Sequence, residues 1–255
     1  MLFPRLFALL LALAATVFPL TSCDQDNTSP AQSTGDLAIE MENVVGNAPL
    51  ALNTGTYTTE AGDHFTVTTF NYYISNIRLQ KADGGEFAQP ESYYLVKESD
   101  AGSRRFTIPN VPTGDYTGIT FTIGVDSARN VSGAQTGALD PSNTMFWSWN
   151  TGYIFLKLEG TSPESPSKAL VFHVGGFRKP YNAVRTVSPS FNGKTVMVRT
   201  GPTPTIYLRA NVLKLFTGMR FADASSTSHS AGAGAVRAAN NYSAGMFTVD
   251  RIHAN

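Results

Sequence analysis

The chain is poor in the residues that most often carry chemistry. Its 255 residues include 1 cysteine, 4 histidines and 2 tryptophans. A lone cysteine, Cys23, excludes an internal disulfide, so the core must stabilise the fold unaided. Charge of either sign is not in excess, with 19 Lys and Arg against 19 Asp and Glu. A chain so balanced has no long-range field to draw in nucleic acid or an anionic lipid surface, and both are disfavoured as partners. No two histidines have the local His-x-x-x-His spacing of a zinc motif. The Gly-x-Ser-x-Gly elbow of a hydrolase is missing, as is the Lys-Ser/Thr of a phosphate cradle. The acidic residues are scattered, without the close pair that glycoside hydrolysis needs. An enzyme is therefore the least supported class.

Long apolar runs are confined to one place. Leu6 to Leu20 follows the single charge of Arg5 and falls short of the roughly 20 apolar residues that span a bilayer. Its layout is that of a secretory signal peptide, residues 1–22. The run ends in Leu20-Thr21-Ser22-Cys23, which resembles a bacterial lipobox and marks Cys23 for lipidation. Each buried acyl methylene contributes about 0.8 kcal/mol, so several chains on one cysteine hold a protein at a membrane. Cys23 and the polar stretch to residue 35 read as a flexible tether, too poor in apolar surface to fold. The expected location is the envelope of a Gram-negative bacterium, at the outer membrane on its periplasmic or outer face. One folded domain, 36–255, follows.

Within that domain nearly every apolar stretch has period two, the strand period. Leu37, Ile39 and Met41 alternate with Ala38, Glu40 and Glu42. The long run FTVTTFNYYISNIRL changes phase between Val67 and Phe70 and again after Ile74, which predicts bulges. Pro112-Thr113-Gly114-Asp115 is a turn between two strands, the second placing Ile119, Phe121, Ile123 and Val125 on one face. The stretch Ala231–Asn240 alone has a helical cast, weakened by its glycines. Strands without alternating helices predict an all-β fold, an antiparallel β-sandwich of immunoglobulin-like or jelly-roll-like type.

Two features interrupt this pattern. Asp126 to Thr144 runs 19 residues without a period, longer than the connections usual in a compact domain, and such loops tend to be functional. It leads straight into Met145-Phe146-Trp147-Ser148-Trp149, which holds both tryptophans of the chain. In extended backbone Trp147 and Trp149 share one side and Phe146 and Ser148 the other. The pair reads equally as a core wall, as a sugar-stacking platform, or as the flank of a soft-metal site to which Met145 offers a thioether. Among the histidines, His173 shares a strand face with Val171, and Gly175-Gly176 beside it admits the close approach of another group. His64 enters a strand from a turn, while His229 and His253 read as solvated.

Four stretches then stand in a familiar order: FNYYISNIRLQ, NVPTGDYTGITFTIGVDSARN, ALDPSNTMFWSWNTGYIFLKLEG and FHVGGF. Together they resemble the MbnP-like family of copper-binding proteins, over most of the region from Asp36 onward. The most specific element is Met-x-Trp-x-Trp followed by Gly-Tyr and a strand. The resemblance implies a secreted or surface-anchored β-domain that binds copper. It also implies that a tryptophan can be oxidised to kynurenine by a partner di-haem enzyme of the MauG-like type. On this chain that tryptophan is Trp147 or Trp149 and the matching histidine is His173, with Met145 and His64 as further candidate ligands. Val131 stands where family members often carry a histidine, and the four cysteines that many of them carry are missing. The expected function is copper binding, buffering or hand-over. The alternative is a glycan- or protein-binding surface module without metal.

Overall fold

Alternating sequence becomes strand wherever one face can be buried. The computed structural model describes residues 32–133, 135–148, 151–227 and 231–253. Its strands are, in order, β1 (Thr34–Val45), β2 (Ala48–Pro49), β3 (Tyr57–Thr58), β4 (His64–Lys81), β5 (Glu86–Ala88), β6 (Tyr93–Lys97), β7 (Arg105–Pro112) and β8 (Gly114–Ile123). They continue as β9 (Phe146–Ser148), β10 (Gly152–Thr161), β11 (Ala169–Gly175), β12 (Arg185–Val187), β13 (Val196–Val198), β14 (Thr205–Asn211) and β15 (Phe247–His253). Helices α1 (Ser127–Asn130) and α2 (Ala233–Ser243) interrupt them. Residues 1–31, with the expected signal peptide, Cys23 and most of the tether, lie outside the described residues. Among the described residues no helix is long and apolar enough to cross a membrane.

The strands form two sheets. The smaller runs β15-β14-β1-β2 with β7 also on β1, and the larger runs β11-β10-β4-β8-β12 with short strands at its margins. Their inner faces meet in one apolar core, making an all-β sandwich. Phe247 of the smaller sheet marks the contact, lying edge-on to Tyr72 of β4 at 5.5 Å and to Phe121 of β8 at 5.6 Å. Edge-to-face pairs of this kind add about 0.5–1.5 kcal/mol beyond the area they bury.

Both predicted phase changes of β4 are register shifts. One falls where Val67 and Thr69 face Gly160 and Glu159, the other between Ser75 and Arg78 against β8. A bulge adds one unpaired residue, which restores the apolar side chains to the inner face. Ile119, Phe121, Ile123 and Val125 are all buried, as their spacing predicts.

Three features differ from the expectations. The turn at Thr113 joins two strands that do not pair with each other. It carries the chain from β7 in the smaller sheet to β8 in the larger. The pairing of β1 with β14 is parallel, while the other pairs of named strands among the described residues are antiparallel. The helix near residue 231 is firm despite its glycines, because Ala235, Ala238, Ala239 and Tyr242 form a buried stripe at helical spacing. That stripe packs α2 on β11, β12 and the 3-10 turn Val212–Phe216.

Candidate metal site

The sheet places the candidate residues by a simple rule of alternation. On β11 the side chains of Leu170, Phe172 and Val174 enter the core. Val171, His173 and Gly175 therefore face the other way. His173 is directly opposite Lys157 of β10, and Glu159 of the same strand is opposite Val171. The three polar residues thus share one small patch of the outer face. His173 Nε2 lies 2.8 Å from Glu159 Oε1, and Lys157 Nζ lies 3.4 Å from the same oxygen. The His173 side chain is 11 % exposed.

Burial by itself would raise the Glu159 carboxyl. The hydrogen bond to His173, the Lys157 charge and a hydrogen bond to Thr69 outweigh it and hold the group below the ordinary glutamate range. An ionised carboxylate can only accept, so the imidazole Nε2–H is the donor.

Trp147 approaches this patch from the neighbouring hairpin. β9 pairs with β10, Ser148 opposite Gly152 and Phe146 opposite Tyr153. Phe146 turns onto the Tyr153 ring, centroids 4.9 Å apart, whereas the Trp147 indole lies on Gly175. A Cβ built at Gly175 would come within 2.7 Å of Trp147 Cζ3. The indole thus occupies the space a side chain would need, one same-face position from His173, with about 7 Å between the two backbone positions. Its Nε1 is buried and has no hydrogen-bond acceptor among the described residues. Such an orphaned donor costs about 1–3 kcal/mol.

The long connection before Trp147 is a set of short capped turns. Asp126 caps α1 by accepting from Arg129 N at 3.1 Å. Asp140 caps a 3-10 turn that begins at Pro141. Tyr73 and Tyr153 donate their hydroxyls to the Ala138 and Leu139 carbonyls at 2.9 and 2.6 Å. Asn130 accepts from Tyr153 N at 2.9 Å and donates to the Val125 carbonyl at 2.7 Å. These bonds hold the connection against the base of the β9–β10 hairpin.

The remaining candidates fall elsewhere. Met145 is wholly buried and belongs to the hydrophobic core, its carbonyl accepting from Ile154 N. His64 begins β4 and is held by Glu164, with Nδ1 2.9 Å from Oε1. Asn71 of β4 is the residue level with Lys157 and His173. His64 is therefore roughly 20 Å further down the strand at 3.3 Å per residue, which keeps it from any site shared with His173. Val131 is 57 % exposed on the loop surface. Trp149 and His229 lie outside the described residues. Among the described residues, no group of three or more His, Cys, Asp or Glu side chains could hold a metal. Glu159 and Lys157 are functional neighbours of His173 that the sequence does not single out. Their signal was the polar half of the alternation in Leu156-Lys157-Leu158-Glu159, but no local pattern says which strand they face.

The comparisons with known proteins agree with this architecture. The sequence profile of the MbnP family matches residues 34–230. The fold is similar to that of MbnP from Methylosinus trichosporium, with a TM-score of 0.54 at 16 % identity, covering 87 % of this chain and 100 % of that one. At such identity the likeness speaks for the fold alone. No curated protein matches the chain.

Proposed function

The chain belongs to the MbnP family, and from that premise we propose that it binds copper as cargo at His173 beside Trp147. In this reading it buffers copper or hands it on without chemical turnover, anchored in the cell envelope through a lipid on Cys23. The observation that carries the reading is the meeting of two groups from different hairpins. An imidazole held by a carboxylate at position 173 meets an indole that lies on Gly175, two residues along the same face of β11, and whose buried N–H has no acceptor among the described residues. Neutral imidazole is a good copper ligand. Indole is not, yet its kynurenine oxidation product carries an aromatic amine and a ketone. Making that product breaks the indole C2–C3 bond, takes up two oxygen atoms from a peroxide or dioxygen co-substrate, and releases C2 as formate on hydrolysis, and the family resemblance implies a MauG-like di-haem partner as the catalyst. Oxidation of Trp147 would turn a destabilising orphan donor into a second donor group beside His173. Met145 and His64 take no part in this site.

The test is copper uptake by the purified, tag-free protein. The expected result is near-stoichiometric loading that His173→Ala abolishes. A parent that takes up no copper, or an alanine variant that loads as well as the parent, overturns the reading. Mass spectrometry of the peptide spanning Trp147 from the native host tests the oxidation, and an unmodified indole in every preparation removes it.

A further inference from the structure

We infer that Tyr93 is a redox-active tyrosine: it gives up one electron to a one-electron oxidant at the surface while its phenolic proton passes along the hydrogen bond to Asp126. The inference rests on neither copper binding nor the oxidation of Trp147.

The phenol and its base are both fixed before any reaction. The Tyr93 hydroxyl, on β6, donates to Asp126 Oδ2 at 2.5 Å. Asn76 Nδ2 donates to the same oxygen at 3.2 Å, and Arg129 N donates to Oδ1 at 3.1 Å. Burial would raise the Asp126 carboxyl, but its donors outweigh this and hold it below the ordinary aspartate range, so it stands ionised as a base. Burial, followed by the Asp126 hydrogen bond and charge, pushes the Tyr93 phenol up. The phenol therefore keeps its proton near neutral pH until the electron leaves. A phenol that has lost an electron is a strong acid, and here a base is already within hydrogen-bond reach. In the step the Tyr93 O–H bond breaks and an O–H bond forms at Asp126 Oδ2. The ring is left as a neutral phenoxyl radical, and the oxidant is reduced by one electron. Reduction of the radical reverses each change.

This partnership sets Tyr93 apart. Tyr72, Tyr73, Tyr116, Tyr153 and Tyr242 donate instead to an asparagine amide or to backbone carbonyls, none of which takes up a proton near neutral pH. Tyr93 is also reachable, since it borders a cavity of about 290 Å³ with Glu91, Arg129 and Gln135. The other charges beside the phenol are the Arg129 guanidinium, 5.7 Å from the ring centroid, and Glu91, which pairs with it. A row of rings leads inward from this point. Ser75 of β4 is opposite Tyr93, and Tyr73 is opposite Leu95, so Tyr73 is the diagonal neighbour of Tyr93 on the same face. Tyr73 meets the Tyr153 ring edge-on at 5.8 Å, which takes the row into the β9–β10 hairpin that carries Trp147.

The test is flash oxidation of the metal-free protein by a photogenerated ruthenium(III) polypyridyl complex. Transient absorption and electron paramagnetic resonance of freeze-trapped samples read the phenoxyl radical. An exposed tyrosine such as Tyr181 must pass its proton to water or buffer, so its radical forms faster as buffer concentration rises. The expected result is an additional, faster phase that is independent of buffer, slower in deuterium oxide and absent from Tyr93→Phe. Asp126→Asn keeps a hydrogen-bond acceptor but removes the base, and should slow this phase by about 100-fold or more, as for loss of a positioned base. Asn76→Gly suits the left-handed backbone at that position and takes one donor from the carboxylate while leaving it a base, so it should retain the phase. Urea unfolding confirms that each variant is folded. A fast phase that survives in folded Tyr93→Phe or Asp126→Asn overturns the inference, as does one lost equally in Asn76→Gly. A parent whose radicals all form at buffer-dependent rates overturns it as well.

Discussion

Trp147 rests on Gly175 so closely that a single methyl group at position 175 would meet Cζ3 of the indole at 2.7 Å and the Tyr153 carbonyl oxygen at 2.6 Å. The glycine is a contact requirement, since the strand there has no need of a left-handed backbone. It brings the β9–β10 hairpin down onto the patch that holds His173, and any side chain at 175 must lift it off.

Gly175→Ala is therefore expected to destabilise the protein by about 1–3 kcal/mol, the usual range for forcing extra volume into a packed contact. The indole can swing aside, but the Tyr153 carbonyl is backbone and cannot. Urea unfolding measures the loss. Tryptophan emission in a Trp149→Phe background should shift as Trp147 leaves its site, and copper uptake should weaken in parallel. An alanine variant with parental stability and parental emission would show that the ring does not need the glycine.

Acid should loosen the 126–144 connection before it unfolds the sheets. Burial on its own would raise the Asp126 carboxyl, but four donors outweigh it: the Tyr93 hydroxyl, the backbone N–H groups of Arg129 and Ala128, and the Asn76 amide. Together they hold the group below the ordinary aspartate range in the folded protein. A carboxyl depressed by folding contributes stability that is present above its unfolded pKa of about 3.9. That stability is lost as pH falls through the lower folded value. Amide exchange at residues 127–139 should accordingly rise below about pH 4. Asp126→Asn should flatten this dependence and show at neutral pH part of the loosening that acid produces in the parent. An asparagine variant with the parent's acid response would assign the transition to another group.

How much of this could be read from the sequence depends on how far the information reaches along the chain. The bulges of β4 were legible because a bulge breaks a local period, and the inner face of β8 because alternation is local too. The helix at Ala233–Ser243 was half legible, since its buried stripe has helical spacing while its glycines dilute the propensity. The parallel pairing of β1 with β14 was not legible. Its partners lie far apart in sequence, and a parallel pair leaves no turn signal between them. The 126–144 connection showed no period because it is built from single turns whose caps, Asp126 and Asp140, act one residue at a time. The meeting of Trp147 with the His173 face follows the glycine pair that the sequence displays. The Glu159 contact does not, because register across β10 and β11 depends on a bulge between Ile154 and Leu156. His64 shows the same limit from the other side. Its place at the entry to a strand follows from local pattern, yet only the register reveals that its end of β4 is remote from His173.

The tyrosine hydroxyls under the connection offer the most direct test of whether it belongs to the site. Tyr153 is almost fully buried and donates to the Leu139 carbonyl at 2.6 Å, while its backbone N–H is held by Asn130. Tyr153→Phe keeps the ring, and with it the contact to Phe146, but strands the buried carbonyl. The expected loss is about 1–2 kcal/mol, the penalty for leaving one buried acceptor unmade. The loss should fall on the connection: exchange protection at 137–144 should drop while the amides of β4 and β8 stay protected. If the connection steadies the hairpin that carries Trp147, copper affinity should also fall, although residue 153 touches neither His173 nor Glu159 through its hydroxyl. Loosened exchange at unchanged affinity would separate the two, leaving the connection as packing and the site as the property of β9, β10 and β11 alone.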